Sequence, residues 1–339
     1  MIKVVIIGFG VMGKKTTEEL ALNQNIEILA VVDKKKELKN TYTNDYLESN
    51  LEIPIKNSIE DVEWENVDIA IIMSDSFISK IEPLLIKLAN KRINILTIAE
   101  EMAYPEIINK DITNKVDSIA KKNNISILGT GINPGFIFDY LIIILSNVCL
   151  EVNEIVACRI NDLSEFGDTV LNSQGIGLSE NEFQKGVKDG KVVGHVGFKQ
   201  SIHLISNAFN WELIDFKEQI EPILASKDIC AGKFSFRKNT VIGCNHQAYA
   251  TFKNNKKIVL EHPQQICVED NPVTKDEIIF KGVPDIKLKI EPEIPGGIGT
   301  VAMIINMIPL ILEAKPGLIT LLDLPRTPAI FNKIRSNFN

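Results

Sequence analysis

The chain has 339 residues with a net charge of −7, of which 45% are hydrophobic and 24% charged. That length allows two domains with separate cores, and the sign of the charge argues against nucleic acid or an anionic membrane surface as partners. Five cysteines (Cys149, Cys158, Cys230, Cys244, Cys267), an odd number without a C-x-x-C pair, fit reduced thiols buried as small hydrophobes rather than disulfides or zinc ligands. With no signal-peptide pattern and no unbroken apolar run of about 20 residues, the expected location is the cytoplasm, with no membrane partner.

The opening residues read strand, glycine turn, helix, strand, acid. Residues 2–7 are almost wholly apolar, as in a strand buried on both faces of a parallel sheet. Gly8-Phe9-Gly10-Val11-Met12-Gly13 follows, the G-x-G-x-x-G pattern. Its glycines allow a tight turn, a close backbone approach to a pyrophosphate, and close packing of helix on strand. The helix predicted over residues 12–22 turns its N-terminal N–H groups toward the phosphates. The second strand, residues 28–33, ends in Asp33, 20 residues past Gly13 (33 − 13 = 20), where a carboxylate accepts from the ribose 2′-OH of NAD. Lys34, Lys35 and Lys36 are placed to pair with the 2′-phosphate of NADP, so either NAD or NADP fits as cofactor.

The alternation continues. Residues 67–73 read as a strand leading into Ser74 and Asp75. An amphipathic helix over 79–91 carries Ile81, Leu84, Leu85 and Leu88 on one side. A strand over 93–98 leads into Glu100 and Glu101, a helix spans 105–123, and a last strand covers 125–128. The expected fold is α/β, an N-terminal Rossmann doubly wound parallel sheet. Ligands bind at the carboxyl ends of such strands, so Gly8 to Gly13, Asp33, Ser74, Asp75, the two glutamates and the glycine-rich stretch 129–135 converge on one edge.

Gly129-Thr130-Gly131-Ile132-Asn133-Pro134-Gly135-Phe136 marks a hinge, and an apolar helix follows over 140–148. Beyond residue 152 the pattern suggests an α+β domain. Over 155–161, Ile155, Ala157, Arg159 and Asn161 share one face, which calls for water or a ligand opposite its polar groups. Val156, Cys158 and Ile160 share the other face and read as core. Further strands are expected near 191–197, 230–236, 240–252, 258–261 and 286–290, with a hairpin at Asn254-Asn255. Pro295-Gly296-Gly297-Ile298-Gly299-Thr300 opens an apolar helix over 301–312 that is expected to pack back on the first domain. The expected division is 1–135 for nucleotide binding, 136–300 for substrate and dimerisation, and 301–339 as the returning helical segment.

Five motifs together resemble the 2,4-diaminopentanoate dehydrogenase family. They are the stretch 129–136, Arg159-Ile160-Asn161-Asp162-Leu163, Val193-Gly194-His195-Val196-Gly197-Phe198, Leu260-Glu261-His262-Pro263-Gln264-Gln265, and 295–300. The resemblance runs from Met1 to about Ile330. It implies a Rossmann domain with an α+β domain similar in topology to dihydrodipicolinate reductase, and a relation to NAD(P)H-dependent amine dehydrogenases. The implied reaction is oxidation of the C4 amine of 2,4-diaminopentanoate to 2-amino-4-oxopentanoate and ammonia, in ornithine- and lysine-type amino acid fermentation. It also implies a homodimer.

That reaction needs a group to take the ammonium proton before hydride leaves carbon, and a carboxylate in a partly dry cleft suits it. In extended chain Glu100 and Glu101 point opposite ways, so one of them faces the substrate, and the resemblance favours Glu101. The resemblance further places Arg159, Asn161, His195 and His262 in the substrate pocket. Arg159 would bind the carboxylate as a planar fork and His262 would add a donor. Thr130, Asn133 and Gly135 would border the nicotinamide, with Thr300 a further contact; His203 and His246 read as ordinary core or surface residues. Two other readings are a general amine dehydrogenase and a non-catalytic NAD(P) sensor.

Overall fold

The computed structural model describes residues 1–39, 41–231, 234–267 and 272–329. The chain divides into two compact units: Met1–Phe136 together with the segment from Gly296 onward, and Ile137–Pro295.

The first unit opens with β1 (Ile2–Ile7), α1 (Val11–Ala21), β2 (Ile26–Val32), β3 (Ile55–Lys56), β4 (Ile69–Ile72), α2 (Ile78–Asn90), β5 (Asn94–Thr97), α3 (Lys110–Lys122) and β6 (Ser126–Gly129). Strands β1, β4, β5 and β6 are almost wholly buried, which explains their unbroken apolar character. Ala70, Ile72, Ile95 and Ile127 pack with Ile81, Leu85, Leu88, Val116 and Ala120 of the helices. The helix expected from Pro105 begins five residues later. Asn109 caps α3 by accepting from the N–H groups of Asp111 and Ile112, and Pro105–Ile107 is a separate 3-10 turn.

The second unit contains α4 (Tyr140–Leu145), β7 (Glu151–Asp162), α5 (Asp168–Ser173), α6 (Glu180–Lys188), α7 (Phe198–Phe209), β8 (Leu213–Leu224), β9 (Ile229–Ala231), β10 (Phe234–Phe236), β11 (Val241–Phe252), β12 (Lys257–Gln265), β13 (Lys275–Val283) and β14 (Ile286–Ile290). Its main sheet runs β14-β13-β7-β12-β11-β8, mixed by a single parallel pair, β7 with β12. The hairpin turn falls where expected, with Asn254 and Asn255 both at positive φ. The region expected as one strand near 230–236 is instead the small β9–β10 pair, and residues 232 and 233 lie outside the described residues.

Three expectations are corrected here. Residues 191–197 form a loop, with Gly194 at φ 65° and Gly197 at φ 128°, backbone angles a strand does not use. On β7 the face with Arg159 and Asn161 is the fully buried one, while Val156, Cys158 and Ile160 are half-buried. The polar pair is buried because it has partners on β12 and β13. Only Cys244 among the free cysteines is fully buried, and Cys230 is exposed.

The chain then returns to the first unit through α8 (Gly296–Glu313) and β15 (Gly317–Ile319). α8 begins five residues before the expected start at 301, so the glycines belong to its first turn. It packs against α1, β5 and β6, burying Val301, Ile304, Ile305, Ile308 and Ile311. Its 18 residues, with a mean hydropathy of 1.6, are long and apolar enough to cross a membrane by length and composition alone. β15 pairs in parallel with β6 and completes a seven-stranded parallel sheet, β15-β6-β5-β4-β1-β2-β3, with the dinucleotide-fold order at its centre. The architecture is an α/β Rossmann-like unit with a second, sheet-containing unit. Residues 330–339 of the expected returning segment lie outside the described residues.

Candidate active site

In the first unit the loops after β1, β2 and β4 enclose a cavity of about 410 Å³ lined by Gly8, Asp33, Lys34, Ser74 and Asp75. Gly8 sits at φ 103°, and a Cβ there would stand 2.8 Å from the Met73 carbonyl oxygen. A Cβ on Gly13 would meet the Gly8 carbonyl oxygen at 1.9 Å. Gly10 has open space at its Cβ position, which leaves its backbone approachable from outside. Phe9 is buried, its ring set edge-on against Tyr46, and contributes its N–H to the turn; Val11 is exposed and Met12 half-buried.

Asp33 closes the turn. Its Oδ2 accepts from the Phe9 N–H at 2.7 Å and its Oδ1 from the Lys35 N–H at 2.9 Å, and each oxygen keeps a further lone pair. Asn57 Nδ2 donates to the Asp33 and Lys35 carbonyls at 3.1 Å, fixing the start of the lysine loop. Lys34 lines the cavity and is exposed. Asp75 turns inward on its own segment, accepting from the N–H groups of Ser76 and Phe77 and pairing with Lys80 at 3.3 Å. These residues fit a dinucleotide: a glycine cradle open at Gly10, and a carboxylate with spare lone pairs at a cavity.

After β5 the chain makes a 3-10 turn, Glu100–Ala103, rather than the extended stretch expected. The two glutamates take different environments. Glu101 Oε2 accepts from the Ile78 N–H at 2.8 Å, capping the first turn of α2, where Phe77 supplies no side-chain cap. Glu100 is mostly buried beside Ser76. Burial pushes its carboxyl above the ordinary value against the hydrogen bond from Ser76, and the charges of Asp75 and Glu101 push the same way. The glutamate with a perturbed carboxyl and no capping duty is therefore Glu100.

The loop after β6 carries buried polar atoms without partners among the described residues: Thr130 Oγ1 and both side-chain atoms of Asn133. Two bonds tie its backbone to neighbouring segments. The Thr130 N–H donates to the Thr97 carbonyl at 2.9 Å, and Thr300 Oγ1 accepts from the Ile132 N–H at 3.3 Å. Thr300, expected as a ligand contact, thus acts as a brace on this loop.

In the second unit Arg159 is 1% exposed. Its Nη1 donates to Asp276 Oδ1 at 2.5 Å and its Nη2 to the Ile294 carbonyl at 2.6 Å, while Asp276 Oδ2 accepts from the Ile294 N–H at 2.8 Å. Antiparallel register places Asp276 directly opposite Arg159. The expectation of a free guanidinium fork aimed at a substrate carboxylate is corrected: a carboxylate of the chain already occupies it. Burial dominates both partners, pulling the guanidinium down and pushing the Asp276 carboxyl up against their mutual attraction.

Beside this pair lies a cluster of imidazoles. His262 Nε2 is 2.6 Å from Asn161 Oδ1, and its ring centroid is 4.9 Å from that of His195. His195 donates its backbone N–H to His246 Nδ1 at 2.9 Å, and His246 Nε2 lies 3.6 Å from Glu218 Oε1. Phe138 and Phe198 wall the rings. Burial pushes His195 and His262 well below the ordinary imidazole value and His246 down to about 4, so all three are neutral near pH 7.

A 2,4-diaminopentanoate dehydrogenase from Acetoanaerobium sticklandii is 40% identical over 340 residues, covering 98% of this chain and 96% of the relative. Residues 136–339 match the family described as the 2,4-diaminopentanoate dehydrogenase C-terminal domain. The chain belongs to the 2,4-diaminopentanoate dehydrogenase family. It is therefore an oxidoreductase. An amine dehydrogenase from Streptomyces virginiae is 23% identical over 222 residues, covering 60% of this chain and 62% of the relative. In fold the chain is similar to an amine dehydrogenase from Mycobacterium smegmatis, with a TM-score of 0.85 and 20% identity covering 97% of each chain.

Within this dehydrogenase, sequence reasoning missed His246, Gln174, Asp276 and Ser76. His246, expected to be an ordinary residue, belongs to the imidazole cluster because it lies opposite His262 in the β11–β12 register. That signal was available: counting outward from the hairpin at Asn254 pairs 246 with 262. Gln174 donates to the Gly194 carbonyl at 3.0 Å and, with His246, clamps the loop that carries His195.

Proposed function

We propose that the chain catalyses NAD(P)-dependent oxidative deamination of 2,4-diaminopentanoate at C4, giving 2-amino-4-oxopentanoate and ammonia, as a step of amino acid fermentation. The observation that carries this reading is the 40% identity to a 2,4-diaminopentanoate dehydrogenase along nearly the whole of both chains. The cradle of Gly8, Gly10 and Gly13 would hold the pyrophosphate, and Asp33 the adenosine ribose. Thr130 and Asn133, with buried polar atoms that lack partners among the described residues, would hold the nicotinamide end. When bound, the nicotinamide supplies the hydride acceptor.

The chain's own part is proton management and recognition. A substrate amine is an ammonium near neutral pH and has no lone pair to push hydride from carbon until it loses a proton. Glu100, whose carboxyl is shifted toward neutrality by burial, is the acceptor for that proton. Once it has released that proton to solvent, the regenerated carboxylate takes a proton from the water that attacks the C=N carbon. Asn161, His195 and His262 serve in substrate recognition.

The test is formation of NADH and NADPH by purified protein with 2,4-diaminopentanoate, run beside ornithine, lysine and a simple secondary-carbon alkylamine. Strong turnover of the first alone is expected. Turnover of the alkylamine with none of the diamino acid would overturn the substrate assignment, and binding of cofactor without any turnover would overturn the catalytic one.

A further inference from the structure

The imidazole cluster leaves hydrogen-bonding capacity unused, at His262 Nδ1, His195 Nε2 and His246 Nε2. An amide oxygen accepts and never donates, so the 2.6 Å contact to Asn161 Oδ1 puts the His262 proton on Nε2 and leaves Nδ1 a bare lone pair. That Nδ1 is buried and has no partner among the described residues; the same holds for His195 Nε2, on the neighbouring ring. His246 does not fill the gap: its Nδ1 accepts from the His195 backbone N–H, which puts its proton on Nε2, and that Nε2 makes no hydrogen bond among the described residues and lies 3.6 Å from Glu218 Oε1. A buried acceptor without a donor is costly, so a ligand that brings N–H groups gains by pairing with it.

The surroundings narrow the ligand's chemistry. A substrate carboxylate brings no donors, and the one guanidinium beside the cluster is already paired with Asp276. The walls are the rings of Phe138, 5.5 Å from His262 and 6.0 Å from His195, and Phe198, 4.7 Å from His195. Aromatic faces and neutral nitrogen acceptors favour a primary amino group, which carries up to three donors and is attracted to ring faces when charged. Glu218 lies beyond His246, its Oε1 3.6 Å from that ring's Nε2.

We infer that His262 Nδ1 and His195 Nε2 form the recognition site for the substrate's second amino group, the C2 amine that is not oxidised, with Asn161 setting the His262 tautomer. The inference rests on the diamino-acid dehydrogenase reading above. It reverses the role expected for His262, from a donor toward carboxylate to an acceptor from nitrogen. The imidazoles, held neutral by burial, recognise the amine as acceptors and partners rather than as bases.

The experiment compares kcat and KM for 2,4-diaminopentanoate and for 4-aminopentanoate, which lacks only the C2 amine. Wild type is expected to prefer the diamino acid by at least about tenfold in kcat/KM, because the smaller substrate leaves the buried His262 acceptor unpaired and His195 Nε2 without a partner. His262→Leu should erase most of that preference, raising KM for the diamino acid at least about fivefold more than KM for 4-aminopentanoate. His262→Asn, whose Oδ1 falls near the Nδ1 position, should keep most of it. His195→Leu repeats the test through the second unpartnered nitrogen should the first variant fail to fold. Equal loss on both substrates in these variants, as removal of a merely structural or water-holding histidine would give, overturns the inference; so does a wild type that turns over both substrates equally. A wild type that turns over neither overturns instead the function on which the inference stands.

Discussion

Glu100 in the first unit and the Arg159 pair in the second both bury charge, but by different means. Glu100 is set against a serine hydroxyl and has no cation as partner, so its burial is left as a raised proton affinity. Arg159 is given a carboxylate and a backbone carbonyl, so its charge is spent inside the protein. The difference separates chemistry from architecture: an uncompensated buried carboxyl is poised to exchange a proton, whereas a compensated ion pair mainly fixes strand register. The unpaired group is thus the better candidate for catalysis, although both are buried polar residues in family motifs or beside them.

The largest effect expected is from Glu100→Gln. If Glu100 is the proton acceptor, the variant should lose about 10³-fold in kcat with cofactor affinity unchanged, since general-base contributions run from about 10² to 10⁴. Stability should move the other way. The folded state holds the Glu100 proton more tightly than the unfolded chain, so this group's contribution falls as pH rises from the ordinary value of 4.5 through the raised native one. The glutamine has no charge to bury, so the variant should melt at a higher temperature than wild type at pH 8, with the gap closing toward pH 4. In wild type, activity should fall on acidification at a pH above that of an ordinary carboxylate. A variant with near-normal turnover would remove Glu100 from the mechanism.

Breaking the paired centre should damage folding first. Arg159→Met strands Asp276 in the interior with only the Ile294 N–H, and loss of one partner from a buried pair costs about 3–5 kcal/mol. Adding Asp276→Leu should recover most of the loss, measurable by urea titration of the single and double variants. If the double variant is no more stable than Arg159→Met, the pair is not the unit it forms in the structure. A retained KM in the double variant would confirm that the guanidinium does not read the substrate.

How far the sequence carries depends on whether partners are close along the chain. The first unit was legible because its elements are local: the glycine turn, α1, β2 and Asp33 lie within 33 residues, and parallel strands buried on both faces announce themselves as apolar runs. The hairpin at Asn254 was legible for the same reason. Arg159 and Asp276 are 117 positions apart, on strands whose pairing no short pattern encodes, and β13 itself alternates too weakly with charges to be read as a strand. The role of Arg159 was therefore misread although its place in a polar row was correct. The glutamate pair shows a subtler limit. Placing both after β5 was right, but telling them apart required knowing that the chain turns there and that the first turn of α2 needs an acceptor.

That distinction gives the smallest and most discriminating prediction. Glu101 accepts from the Ile78 N–H at 2.8 Å, and α2 has no side-chain cap of its own at Phe77. Glu101→Ala removes the acceptor and should cost about 1 kcal/mol, the usual scale for a lost helix cap. Glu101→Gln keeps an oxygen in place and should cost less than half as much. Neither should lower kcat more than about threefold, because the capping oxygen acts on α2 rather than on the reacting nitrogen. The two carboxylates are adjacent in sequence and similar in their loss of solvent, so variants of each, compared at the same pH, separate a proton acceptor from a cap with few other variables. A Glu101→Gln variant that loses turnover as completely as Glu100→Gln would mean that the Ile78 hydrogen bond gives way when substrate arrives, and the roles of the two glutamates would have to be exchanged.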